Sequence, residues 1–235
     1  MTDATHAEAF KIHFTPFGIP LNIDHSVIFM WAVSVFIIII VMVATRVRVM
    51  QQVEHYLYEF VQNQFMENLK PKNPFWFSFI TTLFVFILFC NLAGLVPGSN
   101  SPTSDISVTV ALALMIFFIS ILMGIIAHGF GFLKQFVPEN VPIFLLPFMV
   151  VLEFLSYLTR PFSLAVRLFA NMFAGHMILT IFLGFVIVLS PYLKLIPLIG
   201  VIIITLFKVF VALIQAFIFT YLATLYIGEA LHGKH

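Results

Sequence analysis

Residues 26–45 read SVIFMWAVSVFIIIIVMVAT, a run of twenty residues without one charged side chain. A helix needs about 20 mostly apolar residues to cross the hydrocarbon core of a membrane. The whole chain has this character, because 62% of its 235 residues are hydrophobic and 9% are charged. Soluble domains are about 45–50% apolar and about 25% charged. The composition therefore excludes a soluble enzyme and predicts an all-α integral membrane protein.

Charged residues interrupt the remaining apolar runs and mark where further crossings begin and end. After the first crossing at residues 26–45, two more are expected at 74–97 and 106–133. The last two segments, 142–189 and 196–228, are too long for upright crossings of a core about 30 Å thick, at about 1.5 Å per residue. We therefore expect about five crossings in a single membrane domain, residues 26–235, with the last two forming a long tilted hairpin.

Residues 50–70 differ from the crossings because they mix apolar and charged side chains. A largely apolar stripe at helical spacing predicts an amphipathic helix lying on the membrane surface. The stripe comprises Val53, Leu57, Phe60, Val61, Gln64 and Phe65. Basic residues flank this segment at Arg46, Arg48, Lys70 and Lys72. Since cytoplasmic loops are enriched in Lys and Arg, we expect this helix and the C-terminus in the cytoplasm, and residues 1–25 on the outer side.

Polar residues follow one face of the first long segment of the hairpin. At about 100° per residue, six of them share a window of about 80°. The six are Glu153, Ser156, Arg160, Ser163, Arg167 and Asn171. Ionisable side chains inside a spanning helix are costly and mark functional sites. Arg167 is the leading candidate, because Ala170 and Ala174 beside it allow another helix to approach closely. We interpret Arg160 as a boundary residue that snorkels toward the membrane surface.

Three further polar residues are expected to line one aqueous pocket. His176 lies nine residues after Arg167, on the opposite side of the helix, and Lys208 and Gln215 are seven residues apart on the last helix. These residues suit either an ion-translocating subunit or a free-standing secondary transporter in which Arg167 binds an anionic substrate. An intramembrane hydrolase is disfavoured, because the chain has no HExxH, nucleophile elbow or phosphate loop. The single cysteine, Cys90, allows neither an intrachain disulfide nor a cysteine metal cluster.

Several motifs resemble one known family. RLFANMFAGH at residues 167–176 resembles the signature of subunit a of the F-type ATP synthase. PTSDISVTVALAL at 102–114, EFLSYLTRPFSLAVRLFANMFAGH at 153–176 and LIQAFIFTYLATLYIGEAL at 213–231 resemble the same family in order and spacing. The likeness extends over most of the chain from about residue 25 onward. The histidine at the end of the signature resembles alphaproteobacterial and mitochondrial members.

The resemblance implies a function, partners and a location. The chain would be the proton-translocating stator subunit, which offers two offset half-channels to the rotating c-ring and is not catalytic alone. Its partners would be the c-ring, subunit b or the peripheral stalk, and the lipid bilayer. No nucleic acid, cofactor, metal or small-molecule substrate beyond the proton is expected. Sodium is the alternative coupling ion. The implied location is a bacterial inner membrane, with the mitochondrial inner membrane as the alternative.

The resemblance also implies roles for individual residues. Arg167 matches the essential charge that faces the ion-carrying carboxylate of the c-ring. The other residues implied along the ion path are Asn171, His176, Lys208, Gln215, Glu153 and Ser156. Among them, His176 belongs to the outer half-channel, whereas Glu153 and Ser156 lie near the inner one. Lys208 departs from the family pattern, because other members carry His or Glu there.

Overall fold

The computed structural model describes residues 12–14, 21–23, 25–44, 46, 48–69, 73–95, 101–129, 131–132, 137, 142, 144–190 and 192–232. Near the N-terminus, strands β1 (Ile12–Phe14) and β2 (Leu21–Ile23) pair antiparallel, with Ile12 opposite Ile23. The helices are α1 (His25–Ala44), α2 (Arg48–Gln64), α3 (Pro74–Ala93), α4 (Ile106–His128), α5 (Leu146–Val188) and α6 (Leu195–His232). Short 3-10 turns follow α2 at Met66–Asn68 and precede α4 at Pro102–Ser104.

The helices confirm the predicted all-α membrane fold. By length and composition, α3, α4, α5 and α6 can each cross a membrane, and Val27–Val43 of α1 forms a shorter apolar helix. With 43 residues, α5 is about 65 Å long at 1.5 Å per residue, and it continues as helix across the buried Pro161. That length exceeds a hydrocarbon core of about 30 Å, as expected for a tilted or bent crossing. The small β-hairpin was not predicted from the sequence.

Side-chain caps explain where two of the crossings begin, and a glycine explains where one of them ends. Asn73 caps α3 by accepting the N–H of Phe75 at 3.0 Å, and Asp105 caps α4 by accepting that of Ser107 at 2.9 Å. These caps satisfy backbone donors that lack a partner within the helix. The helix α4 ends at His128, short of residue 133, because Gly129 adopts a positive φ of 56° that favours glycine.

The core lies where the end of α2 meets the bundle. Val61 and Phe65 are fully buried, and so is Leu69 after the 3-10 turn. They pack in one cluster with buried residues of α3, α4, α5 and α6, including Ile87, Ile116, Leu168 and Phe219. At the other end of the predicted stripe, Val53 is 61% exposed. The apolar face of α2 is therefore divided, with its C-terminal part covered by protein and its N-terminal part open.

The helices α5 and α6 form the predicted hairpin and pack antiparallel. The turn between them is closed by the carbonyl of Ser190, which accepts the N–H groups of Leu193 and Lys194 at 3.0 and 3.2 Å. Beside the turn, Gly200 lies so close to Phe182 that a Cβ there would be 2.4 Å from the ring. Glycine thus allows the two helices to approach closely next to the turn.

Candidate functional site

Arg167 lies on an exposed face of α5, together with Ala170 and Ala174. Its guanidinium reaches the Oγ of Ser163 at 3.5 Å, and no carboxylate within the described part of the chain pairs with it. An arginine keeps its proton under all conditions relevant to proteins. The two small side chains leave its surroundings open to another helix. This face therefore presents a permanent positive charge that no described carboxylate pairs with.

Next to Arg167 on α5, Asn171 contacts Gln215 of α6 and so joins the two helices of the hairpin. The Nδ2 of Asn171 donates to the Oε1 of Gln215 at 2.7 Å, and Gln215 is 1% exposed. The Nε2 of Gln215 has no hydrogen-bond partner among the described residues. Leaving a buried donor without a partner costs about 1–3 kcal/mol of stability. A hydrogen-bond acceptor that enters the site would relieve this cost by binding the Nε2. The pair lies one helical turn beyond Arg167.

Lys208 is 9% exposed and lies between three helices. Its ammonium donates to the carbonyl of Gly94 at 3.0 Å, at the C-terminal end of α3. A cation is favourable there, because the carbonyl groups at a helix C-terminus carry partial negative charge. The stem of Lys208 lies against Gly175, where a Cβ would be 3.2 Å from the Cε. Lys208 is thus brought next to the residue that precedes the half-buried His176.

A buried polar network beside Lys208 was not predicted from the sequence. Thr103 donates to the Oδ1 of Asn91 at 2.8 Å, and the Nδ2 of Asn91 donates to the carbonyl of Ala212 at 3.4 Å. The Oγ of Ser101 lies 2.7 Å from the Oγ1 of Thr103 and 2.9 Å from the carbonyl of Cys90. The sequence analysis placed Asn91 within the crossing at 74–97, and Ser101 and Thr103 between two crossings, without assigning them a contact. A lone Asn inside an apolar run was the signal that could have pointed to the network.

Arg160 is ion-paired within the protein, a contact that its interpretation as a snorkelling residue did not predict. Its guanidinium donates to the carboxylate of Glu229 on α6. The same guanidinium lies 5.3 Å from the ring centroid of Tyr157 and 5.2 Å from that of Tyr226. Glu229 was not singled out from the sequence, because a lone acid near the C-terminus resembles an ordinary boundary charge.

Glu153 and Ser156 lie nearer the start of α5 and are not brought to Arg167. Glu153 is half-buried and Ser156 is exposed. Fourteen and eleven residues separate them from Arg167, which places them about 21 and about 16 Å away along the helix axis. The predicted ion-path residues therefore fall into three groups along the hairpin, with Arg167, Asn171 and Gln215 in the middle.

Comparison with known proteins gives one consistent family. Residues 27–228 match the family described as ATP synthase A chain. A protein named ATP synthase subunit a from Maricaulis maris is 38% identical over 100% of both chains. Proteins of the same name are 41% identical in Rhizobium rhizogenes, over 93% of this chain and 92% of that one, and 43% identical in Brucella ovis, over 79% and 77%. The family match includes every predicted ion-path residue from Glu153 to Gln215 and ends one residue before Glu229.

Proposed function

Because the chain belongs to the ATP synthase A chain family, as subunit a of an F-type ATP synthase, we propose that it conducts protons through two offset half-channels to a rotating c-ring. Family membership makes it a stator subunit of the membrane sector that is not catalytic alone. A free-standing secondary transporter is therefore no longer an alternative. The related proteins come from bacteria, and the chain is accordingly a bacterial membrane protein.

The observation that carries this proposal is the exposed Arg167 on an apolar helix, which has no carboxylate partner among the described residues. A ring carboxylate that approaches this charge is stabilised in its ionised form, so its proton leaves into one half-channel. After the carboxylate has passed, it takes up a proton from the other half-channel. The fixed cation also opposes direct passage of protons between the half-channels. Each charge that crosses 100 mV supplies about 2.3 kcal/mol, and the offset turns this energy into rotation.

The other polar residues are assigned to the two sides of Arg167 in this mechanism. His176 and Lys208 contribute to the outer half-channel, and Glu153 and Ser156 to the inner one. The hydrogen bond from Asn171 to Gln215 supports this arrangement, because it holds α5 and α6 together beside Arg167. In this proposal the N-terminus lies outside and the C-terminus lies in the cytoplasm.

The test replaces Arg167 in the intact complex. Arg167→Ala complexes are purified, reconstituted into liposomes and supplied with ATP, and proton uptake is followed with a fluorescent pH-gradient dye. We expect uptake to fall to the background of complexes without ATP, while native electrophoresis shows normal assembly. Arg46→Ala is the matched control, because Arg46 is exposed in the connection between α1 and α2. Full proton uptake by Arg167→Ala would refute the proposal.

The coupling ion is tested with the same liposomes. For protons, ATP-driven dye quenching should persist in sodium-free buffer and collapse when a protonophore is added. A requirement for added sodium would show that sodium is the coupling ion and would overturn this part of the proposal.

A further inference from the structure

Two arginines share one face of α5. Arg160 and Arg167 are seven residues apart, which corresponds to about 10 Å along the helix and about 20° around it. The two side chains nevertheless have different partners. Arg167 has no carboxylate partner among the described residues, whereas Arg160 is paired with Glu229. The carboxylate of Glu229 thus compensates one of the two positive charges.

Arg160 is also held from several sides. The rings of Tyr157 and Tyr226 both lie within 5.3 Å of the guanidinium carbon, an arrangement that attracts a cation to the ring faces. The helix α4 supports both tyrosines, because the Oγ of Ser120 lies 3.3 Å from the Tyr157 hydroxyl and donates to the Tyr226 carbonyl at 3.1 Å. Residues of three helices therefore fix the position of one arginine.

We propose that Glu229 is a positioning residue for ion translocation: it neutralises and holds Arg160, so that a passing ring carboxylate is attracted by Arg167 alone. This inference rests on the function proposed above. A released Arg160 would carry a second attractive charge about two helical turns from Arg167. In a membrane interior, where charges are weakly screened, that charge would retain an ionised carboxylate away from Arg167 and delay rotation.

The test compares single and double substitutions in the assembled complex. Glu229→Gln frees Arg160 and should lower ATP-driven proton uptake about two- to fivefold, a range suited to a half-exposed ion pair. Arg160→Gln leaves no second cation beside Arg167, and the remaining carboxylate of Glu229 does not attract a ring carboxylate, so this variant should pump near the wild-type rate. The double variant Arg160→Gln/Glu229→Gln should regain the rate of Arg160→Gln. Rates are compared at equal amounts of assembled complex.

A pair that only stabilised the hairpin would behave differently. Arg160→Gln would then impair pumping as much as Glu229→Gln, and the double variant would show no recovery, which would overturn the proposal. The matched control is Glu59→Gln, because it breaks an exposed contact of 3.3 Å with His55 on α2 and should leave pumping unchanged.

Further variants cover a failure of assembly and separate the role of Glu229 from the proposed function. If Glu229→Gln does not assemble, two other variants test the role of Glu229. Glu229→Asp keeps the charges of both residue 160 and residue 229, and the double variant removes both charges. Each should then pump, and loss of pumping by either assembled variant overturns the inference. Arg167→Ala is included as a reference. Normal pumping by Arg167→Ala refutes the proposed function. If Arg167→Ala does not pump and the double variant Arg160→Gln/Glu229→Gln fails to regain the rate of Arg160→Gln, only the role of Glu229 is refuted.

Discussion

Thr103→Val is a direct test of the buried polar network between α3, the 3-10 turn at Pro102–Ser104 and α6. Thr103 is 0% exposed, and its hydroxyl donates to the Oδ1 of Asn91 at 2.8 Å. Valine has nearly the same shape but cannot donate this hydrogen bond. The Asn91 oxygen is then buried without that donor, which costs about 1–3 kcal/mol. In a protein of this size, the loss corresponds to a melting midpoint lower by about 3–9 °C.

The only cysteine of the chain provides the assay. Cys90 is 0% exposed and adjoins Asn91, so a thiol-reactive fluorophore reports the unfolding of this region during a heating ramp. The complex must carry no cysteine in its other subunits. Thr103→Ser is the control, because it keeps the hydroxyl and loses one methyl group, about 0.8 kcal/mol. If Thr103→Val melts at or above the midpoint of Thr103→Ser, the network does not stabilise this region as argued.

One prediction about packing and one about helix capping use the same melting assay. Gly200→Ala would place a Cβ 2.4 Å from the ring of Phe182 and should cost about 1–3 kcal/mol, whereas Gly184→Ala meets no atom within 4 Å and should be neutral or stabilising by up to about 1 kcal/mol. Equal midpoints for the two glycine variants would contradict the close contact beside the turn. Asp105→Ala removes the acceptor of the Ser107 N–H and should cost about 1 kcal/mol, whereas Asp105→Asn keeps an acceptor and most of the stability. A lower midpoint for Asp105→Asn than for Asp105→Ala would argue against capping.

The membrane fold follows from local properties of the sequence. Uncharged runs predict spanning helices because the membrane interior requires every backbone hydrogen bond to be made within the segment. Helical periodicity places Arg167 and Asn171 on nearly one face of α5 for the same local reason. Local analysis also predicts a long hairpin, since neither of its segments suits an upright crossing. The motif RLFANMFAGH adds the family.

The partners of the polar side chains were decided only by the tertiary structure. Asn171 binds Gln215, 44 positions away, and Arg160 binds Glu229, 69 positions away. Lys208 reaches the carbonyl of Gly94 across 114 positions. Hydropathy shows which residues are apolar, but it does not predict the register, that is, which residues of two packed helices lie side by side. In lipid, close packing and interhelical hydrogen bonds set that register, because apolar faces gain little by leaving one apolar environment for another.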